Sequence, residues 1–265
     1  MKSRPGLSRF LADIAVGAGD ILMKYFNRVQ RIERKENAGI VTEADKYAEE
    51  YLLKKILGHY PDSSIIAEES GEFRHSGDLC WVLDPLDGTT NYAHGFPWFC
   101  VSIGVYERGK PRAGAIFQPV SKELFLAEAG KGARMNGKLI HVSKERRLDN
   151  ALLGTGFYYY KGEQLKREIE AFRRVNEAAL GVRRPGSAAL DLAFVACGRY
   201  DGFWERGLSP WDVAAGFLLV QEAGGKVTDF VGRKPDIHGA EAVATNGKIH
   251  RRILELVQAP APSMR

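Results

Sequence analysis

The chain has 265 residues, of which 45% are hydrophobic and 27% charged, and its net charge of +5 corresponds to an isoelectric point of about 9.0. No apolar run approaches the roughly 20 residues that a membrane-spanning helix requires, and the N-terminus lacks the continuous apolar core of a signal peptide. We therefore expect a cytoplasmic globular protein with no membrane partner and with enough chain for two lobes. The three cysteines are too widely spaced for a metal knuckle or a disulfide framework, so they are interpreted as buried free thiols.

Hydrophobic periodicity divides the first half of the chain into two helices followed by a run of strands. The predicted elements are helices over residues 7–28 and 42–58, strands over 63–69 and 79–84, two strands over 99–119 that join at 108–110, and further strand over 123–140. Residues 79–83 are all apolar, which is typical of a buried strand that ends at Asp84.

The second half of the chain alternates strands and helices. The predicted elements are strands over 152–157, 199–205, 226–230 and 240–246, helices over 162–179, 186–198 and 209–225, a final helix that ends near Val257, and a frayed tail over 259–265. This order indicates an α and β protein in which helices are layered on sheets. We expect an N-terminal lobe over residues 1–150 and a C-terminal lobe over 151–265.

Several acidic residues stand at the ends of predicted elements. Asp45 and Asp212 each occupy the third helical position of a capping box, which explains them without any catalytic role. The pair Glu68-Glu69 ends a predicted strand and, taken alone, is typical of a solvated strand end. None of these residues would by itself indicate a functional site.

The segment 84–90, Asp-Pro-Leu-Asp-Gly-Thr-Thr, does more than form a turn. Two carboxylates follow an apolar strand, where an unpartnered charge is costly. Pro85 disfavours helix at Asp84, so both carboxylates and the Leu86 carbonyl can face one point. Such hard oxygen ligands suit Mg²⁺, and Gly88 with the two threonines can open a short helix whose free amides bind an anion. The pattern predicts a cation beside a phosphate site.

A covalent phosphatase mechanism is the main chemical alternative for this segment. Haloacid-dehalogenase-type phosphatases use the first aspartate of Asp-x-Asp-Gly-Thr as a nucleophile. Here Pro85 occupies the position of that nucleophile. An aspartyl-phosphate intermediate is therefore not expected, and direct attack of water on the phosphate is predicted instead.

Two long motifs make the chain resemble the inositol monophosphatase family of Mg²⁺-dependent, lithium-sensitive phosphatases. They are WVLDPLDGTTNYAHGFP over residues 81–97 and WDVAAGFLLVQEAGG over 211–225. VTEAD (41–45), IIAEES (65–70) and the segment 183–205 extend the resemblance to nearly the whole chain. The resemblance implies a layered α-β-α-β-α sandwich of the inositol monophosphatase and fructose-1,6-bisphosphatase type. Homodimers are common in that family, so a homodimer is also expected.

The resemblance further implies a role for each matching residue. The residues implied to hold two or three Mg²⁺ ions are Glu68, Asp84, the Leu86 carbonyl, Asp87 and Asp212, with Glu69 supporting them from a second layer. The residues implied to be catalytic, by activating the attacking water, are Asp45, Thr89 and Glu68. The residues implied to contact substrate are Leu86, Asp87, Gly88, Thr89, Gly186, Ser187, Ala188, Glu205 and Asp212. Residues 91–95 are expected only to carry the chain onward.

These implications predict a phosphate monoester hydrolase with a small phosphorylated polyol as substrate. A myo-inositol monophosphate is favoured by Glu205 and by the short loop 186–188. Fructose 1,6-bisphosphate, histidinol phosphate and phosphoadenosine phosphate are the alternatives within the superfamily. Arg183 and Arg184 could help to bind a second phosphate, although a surface or interface pair of arginines explains them equally well.

The basic charge leaves a different class of function open. Basic residues cluster over 28–35, 144–147 and 182–184, and a basic face can attract phosphates or nucleic acid. A solvated surface of mixed charge is the simpler interpretation, because no RNA-binding motif accompanies these clusters. The alternative is a regulatory, RNA-associated protein on the same fold, and the intact acidic positions argue against it.

Overall fold

The computed structural model describes residues 6–28, 32–34, 39–157 and 162–258. Within these ranges the helices are α1 (Leu7–Tyr25), α2 (Glu43–His59), α3 (Thr89–Ala93), α4 (Glu163–Ala178), α5 (Ala188–Ala196), α6 (Pro210–Glu222) and α7 (His250–Gln258). The strands are β1 (Ile32–Arg34), β2 (Ile40–Thr42), β3 (Ser64–Ala67), β4 (Gly71–Phe73), β5 (Leu79–Asp87), β6 (Cys100–Glu107), β7 (Lys110–Gln118), β8 (Glu123–Glu128), β9 (Ala133–Met135), β10 (Lys138–Ile140), β11 (Leu152–Thr155), β12 (Gly181–Arg183), β13 (Gly202–Arg206), β14 (Lys226–Thr228) and β15 (Glu241–Thr245). The predicted tail over 259–265 and part of the basic cluster 28–35 lie outside the described residues.

The larger sheet has eight strands in the order β10-β9-β8-β7-β6-β5-β3-β4, and all its pairs are antiparallel except β3 with β5. Strand β5 does not end at Asp84 as predicted. It continues to Asp87, which pairs with Cys100 of β6 after a shift of register. A bulge of this kind accommodates a proline that cannot donate to the ladder, and it redirects the side chains on either side of it.

The smaller sheet has five strands in the order β12-β11-β13-β15-β14. Strand β11 runs parallel to both of its neighbours, and the remaining pairs are antiparallel. The short strands β1, β2, β4 and β12 were not predicted from the sequence. Each has only three residues, too few to show the alternation by which a strand is recognised.

The predicted boundaries differ from the observed ones by a few residues. Helix α1 ends at Tyr25 rather than at residue 28, because Phe26 leaves the helical region with ψ 135° and Asn27 has φ 59°. Strand β3 ends at Ala67, so Glu68 stands just beyond the strand rather than inside it. The strand predicted over 199–205 begins only at Gly202.

The elements stack in five layers. Helices α1 and α2 cover one face of the larger sheet, α5 and α6 lie between the two sheets, and α4 and α7 cover the far face of the smaller sheet. This arrangement confirms the predicted α-β-α-β-α sandwich. Helices α5 and α6 contact both sheets and so connect the two halves of the chain. The division into lobes near residue 150 stays a prediction. Apolar clusters fill the spaces between the layers, with Trp81 and Phe203 fully buried in separate clusters.

The cysteines and the helices bear on two further sequence predictions. Cys100 is buried, Cys80 and Cys197 are half-buried, and all three are free thiols. Among the helices described, none has both the length and the apolar character needed to cross a membrane.

Candidate active site

A cavity of about 430 Å³ opens where the bulged end of β5, the short helix α3 and the N-termini of α5 and α6 meet. Five carboxylates line it, although a buried carboxylate without a partner is costly. They are Asp84 and Asp87 of β5, Asp191 of α5, Glu205 of β13 and Asp212 of α6. Glu68, beyond the end of β3, adds a sixth. So many acids around one cavity indicate a site for cations.

Asp84, Asp87 and Asp212 each offer a carboxylate oxygen, and these three atoms lie within 4.8 Å of one another. The bulge in β5 turns the first two toward the cavity. The third is fixed by the capping box of α6, in which the Ser209 amide donates to Asp212 Oδ2 at 2.7 Å. The capping interpretation of Asp212 is therefore correct. It leaves the other carboxylate oxygen free of the cap.

The carboxyl groups of this cluster disfavour one another's ionisation. Burial raises the pKa of Asp84 well above its usual value, and the neighbouring Glu68, Asp87 and Asp212 raise it further. Burial likewise raises the pKa of Asp212, and the charge of Asp87 is the second cause of that rise. Clustered acids are fully ionised only beside a counter-charge. Their carboxylate oxygens and the nearby Leu86 carbonyl are the hard ligands that Mg²⁺ takes, so these residues fit that ion.

Asp87 is held by hydrogen bonds from the N-terminus of helix α5. Its Oδ2 atom accepts hydrogen bonds from the Ser187 hydroxyl at 2.6 Å and from the Ala189 amide at 2.8 Å. Burial raises the pKa of Asp87 to about 6, while these two donors and the Ala188 amide oppose the rise. Asp87 thus occupies the N-terminus of α5, where a negative charge is favoured. The motifs carry no signal for this contact between residues 100 positions apart.

Asp45 uses its two carboxylate oxygens to contact two different residues, Thr42 and Thr89. Its Oδ2 atom closes the capping box of α2, accepting from the amide of Thr42 at 2.9 Å and from its hydroxyl at 2.6 Å. Its Oδ1 atom lies 3.2 Å from the Thr89 hydroxyl. That hydroxyl is also 3.0 Å from the Leu86 carbonyl oxygen. Asp45 is fully buried, so Thr89 stands between it and the cavity.

The predicted helix start at the end of the motif is present as α3. Gly88 precedes it with φ 96°, a conformation that favours glycine, and a Cβ atom there would lie 2.8 Å from the Trp98 carbonyl oxygen. The first amides of any helix have no partner within the helix. Gly88, Thr89 and Thr90 all line the cavity, so the start of α3 forms one wall of it.

Residues 91–95 were expected only to carry the chain onward, and this expectation is wrong. The Asn91 Nδ2 atom donates to the carbonyl oxygens of Trp98 at 2.8 Å, Pro185 at 2.9 Å and Gly186 at 3.3 Å. Asn91 therefore fastens α3 to the segment that leads into α5. A lone asparagine in a turn-rich segment has no periodicity from which a bond of such sequence separation could be predicted.

The cavity lining also contains the residues predicted to meet the alcohol. These are Gly186, Ser187, Ala188 and Glu205. Burial raises the pKa of Glu205 to about 8, and the charge of Asp87 adds to the rise. Glu69 does not line the cavity; its backbone amide donates to the carboxylate of the buried Glu49 at 3.0 Å. Neither Glu49 nor Asp191 was singled out from the sequence.

Comparison with known proteins adds an independent observation. The inositol monophosphatase family model matches residues 7–260. A Synechocystis sp. protein named inositol-1-monophosphatase is 43% identical over 249 residues, which cover 93% of this chain and 87% of that protein. A Pseudomonas aeruginosa protein named Nus factor SuhB is 42% identical and covers 94% of each chain. The crystal structure of the extragenic suppressor protein suhB from Bartonella henselae superimposes with a TM-score of 0.93 at 36% identity, over 97% of this chain and 100% of that one.

Proposed function

Because this chain belongs to the inositol monophosphatase family and is a phosphatase, we propose that it hydrolyses a myo-inositol monophosphate to myo-inositol and phosphate with the help of Mg²⁺. The observation that carries the proposal is the convergence of Asp84, Asp87 and Asp212 within 4.8 Å beside the start of α3. Carboxylates gather cations, and a helix N-terminus gathers anions. A phosphate ester needs both.

Glu68, Asp84, the Leu86 carbonyl, Asp87 and Asp212 would hold two or three Mg²⁺ ions, with Glu69 in a supporting layer. When bound, Mg²⁺ supplies a Lewis acid that makes water more acidic and offsets charge on phosphoryl oxygens. The protein's contribution is to hold the carboxylates in place. Asp87 and Asp212 each have one oxygen fixed by donors, which leaves the other oxygen for a cation.

Asp45 and Thr89 would carry the proton that the attacking water loses. With Oδ2 engaged by Thr42, Asp45 presents Oδ1 to the Thr89 hydroxyl. Thr89 Oγ1 can accept a hydrogen from water while its own hydrogen passes toward Asp45. Asp45 is shielded from solvent, so the proton would stay close to the reacting groups. Removal of the Thr89 hydroxyl should lower turnover by about 10²-fold or more, the usual size of a general-base contribution.

The remaining cavity residues would bind the two ends of the substrate. The amides of Gly88 and Thr89 would donate to the phosphate at the start of α3, where developing negative charge is also stabilised. Gly186, Ser187, Ala188 and Glu205, which also line the cavity, would contact the alcohol. With water attacking from one side and the alcohol leaving on the other, hydrolysis would proceed in line, without a phosphoenzyme.

A direct assay tests this proposal. Phosphate release from myo-inositol 1-phosphate should require Mg²⁺, should be inhibited by lithium, and should be lost in Asp212→Asn. The matched control is Asp78→Asn, because Asp78 is an exposed partner of Arg108. A single turnover in H₂¹⁸O should place one labelled oxygen in the released phosphate. Turnover of Asp212→Asn equal to that of the wild type, or a trapped phosphoenzyme, would contradict the mechanism. Fructose 1,6-bisphosphate and histidinol phosphate in the same assay test the alternative substrates.

The relative named Nus factor SuhB favours a second candidate of another class. In this alternative the protein is a regulatory, RNA-associated factor that keeps the family fold. Its test is a salt-dependent mobility shift with RNA, because contacts to phosphates weaken as salt rises. The shift should persist in Asp87→Asn if RNA binding does not use the catalytic cavity. No shift at low salt would exclude the candidate.

A further inference from the structure

Asp191 is a buried carboxylate that the proposed mechanism does not use. It lies in the first turn of α5 with 1% of its surface exposed, and it lines the cavity. In the part of the chain that the structure describes, its Oδ1 atom has no hydrogen-bond partner. A buried acceptor left without a donor is costly. Because Asp191 lines the cavity, a ligand bound there can supply the missing donor.

Asp191 and Glu205 each lie against one of two nearby glycines, Gly154 of β11 and Gly156 just beyond the end of that strand. A Cβ atom on Gly154 would lie 3.3 Å from Cγ of Asp191, and one on Gly156 would lie 2.1 Å from a carboxylate oxygen of Glu205. Residues two apart along an extended chain face the same side, about 7 Å apart. The two carboxyl groups therefore lie on the same side of this segment, close enough for the charge of Glu205 to raise the pKa of Asp191.

The charges around this pair define the kind of ligand that it accepts. Burial raises the pKa of Asp191 well above its ordinary value, and Glu205 is the next cause of the rise. The charge of Arg184, which also lines the cavity, opposes the rise in both carboxyl groups. Two buried carboxyl groups whose pKa values are raised disfavour further charge beside them, and their oxygens accept hydrogen bonds from neutral donors. Alcohol hydroxyls are neutral donors, and a polyol offers several of them at once.

We propose that Asp191 acts with Glu205 as a specificity-determining pair that binds hydroxyl groups of the leaving alcohol, so the enzyme selects monophosphates of polyols over simpler phosphate esters. This inference rests on the proposed phosphatase function and deepens it. The metal cluster and α3 recognise the phosphate, which every phosphate ester has. The pair recognises what distinguishes one ester from another. A site built to bond hydroxyls strongly rejects analogues that lack them, because its buried acceptors are then left unpaired.

The test compares two substrates that share a phosphate and differ in their alcohol. We measure kcat/KM for myo-inositol 1-phosphate and for phenyl phosphate, which carries no further hydroxyl. Asp191→Ala should lower kcat/KM for the inositol ester by about tenfold or more and change that for phenyl phosphate by less than about threefold. Asp191→Asn, which keeps one acceptor, should fall between Asp191→Ala and the wild type. An unchanged ratio of the two kcat/KM values in both variants overturns the proposal.

A matched control separates recognition from folding. Asp201→Asn alters another buried aspartate, which accepts from the amide of Leu152 at 2.8 Å and lies outside the cavity lining. This variant should lower thermal stability while leaving the ratio of the two kcat/KM values unchanged. Gly156→Ala, whose Cβ would displace the Glu205 carboxylate, should reduce the ratio as Glu205→Gln does. A fall in the ratio for Asp201→Asn as large as that for Asp191→Ala would contradict a specific role.

A binding measurement distinguishes failure of this inference from failure of the phosphatase proposal. Calorimetric titration of wild type with myo-inositol 1-phosphate and with phenyl phosphate, in the presence of Ca²⁺ in place of Mg²⁺, needs no turnover. Preferential binding of the inositol ester that is lost in Asp191→Ala supports the pair, even if the wild type hydrolyses neither ester. If wild type and Asp191→Ala bind the inositol ester with the same preference over phenyl phosphate, the proposed role of the pair is overturned, even if both proteins hydrolyse phosphate esters.

Discussion

The hydroxyl of Ser187 donates a 2.6 Å hydrogen bond to Oδ2 of Asp87, joining the start of α5 to the end of β5. Asp87 thereby receives its donors from a helix that lies between the two sheets. The bond fixes which oxygen of the carboxylate faces the cavity. It also opposes the rise that burial causes in the pKa of Asp87.

Ser187→Ala should therefore weaken Mg²⁺ activation rather than abolish activity. Without the hydroxyl, Asp87 keeps the Ala189 amide but loses its shortest donor, so its carboxylate is less firmly oriented and more readily protonated. Partners that orient a metal ligand typically contribute 10- to 100-fold to metal affinity or activity, so we expect the Mg²⁺ concentration for half-maximal rate to rise about tenfold. The control is Ser8→Ala, which removes a hydroxyl bonded to Glu128. Equal Mg²⁺ titration curves for both variants would contradict this role.

Asp84→Asn should stabilise the protein in the absence of metal. Burial and neighbouring carboxylates raise the folded-state pKa of Asp84, so between its unfolded and folded pKa values the folded state binds the extra proton. Stability is therefore lost as pH rises through that window, and a neutral amide removes the loss. Oδ1 of the amide can still accept from the Leu86 amide, as Asp84 does at 2.9 Å.

Thermal unfolding at pH 8 in EDTA and in Mg²⁺ measures both effects. Asp84→Asn should melt above wild type in EDTA and should lose the rise in Tm that Mg²⁺ gives the wild type. Asp78→Asn, an exposed control, should respond to Mg²⁺ as the wild type does. A full Mg²⁺-dependent rise in Asp84→Asn would remove Asp84 from the proposed ligands.

Asn91→Ala should raise KM as well as lower stability. The substitution leaves the carbonyl oxygens of Trp98 and Pro185 without their donor, at a cost of about 1–3 kcal/mol, and it frees α3 from the segment before α5. Asn136→Ala is the matched control, because Asn136 also bonds backbone groups, those of Lys122 and Leu124, away from the cavity. The control should lower stability with KM unchanged. Parallel changes in KM for the two variants would count against a role for Asn91 in shaping the cavity.

Gly104→Ala should separate α6 from the larger sheet. Gly104 lies opposite Gly114 in the β6–β7 ladder, and a Cβ on Gly104 would come 2.6 Å from Cβ of Ala214. Overpacking typically costs about 1–3 kcal/mol, and the displaced helix carries Asp212, so Mg²⁺ activation should weaken too. Chemical denaturation and Mg²⁺ titration give the two values. Gly58→Ala, in an open position of α2, should instead stabilise the protein by about 0.5–1 kcal/mol.

His250 should make the fold sensitive to mild acid. Its Nε2 and Nδ1 atoms each lie 2.9 Å from a threonine hydroxyl, those of Thr228 and Thr245, and burial lowers its pKa to about 4. The unfolded state, with an ordinary histidine pKa near 6.5, binds more protons between those values. Stability is then complete above pH 6.5 and is lost as pH falls toward 4. The slope of unfolding free energy against pH should flatten in His250→Gln; an equal slope would assign the acid sensitivity elsewhere.

Local patterns predicted helices layered on sheets and the acidic motifs, and the family resemblance implied the five-layer sandwich. Helical and strand periodicities locate α2, β6, β7 and α6 closely, since each is long enough to repeat its pattern. The capping boxes of Asp45 and Asp212 were also recognised, because each spans only four consecutive residues. The family resemblance then connected motifs that lie far apart in the chain.

The contacts that hold the site together were not predictable in the same way. The bond from Ser187 to Asp87 and those from Asn91 to Pro185 join residues about 100 positions apart through single polar groups. No periodicity accompanies such a contact, and each residue has a plausible local role as a cap or a turn former. Asp191 was missed for a related reason, because one acid within an apolar helix resembles an ordinary first-turn charge.

The placement of the acidic cluster has a consequence for the order in which the protein acquires activity. Asp84 and Asp87 are synthesised well before Asp212, and Ser187 is added between them. A nascent chain that has completed only the larger sheet has neither the third carboxylate nor the donors that orient Asp87. Hydrolysis should therefore begin only after α5 and α6 have docked between the two sheets. In a coupled translation assay, chains that stop before residue 212 should be inactive, and phosphate release would then report completed folding.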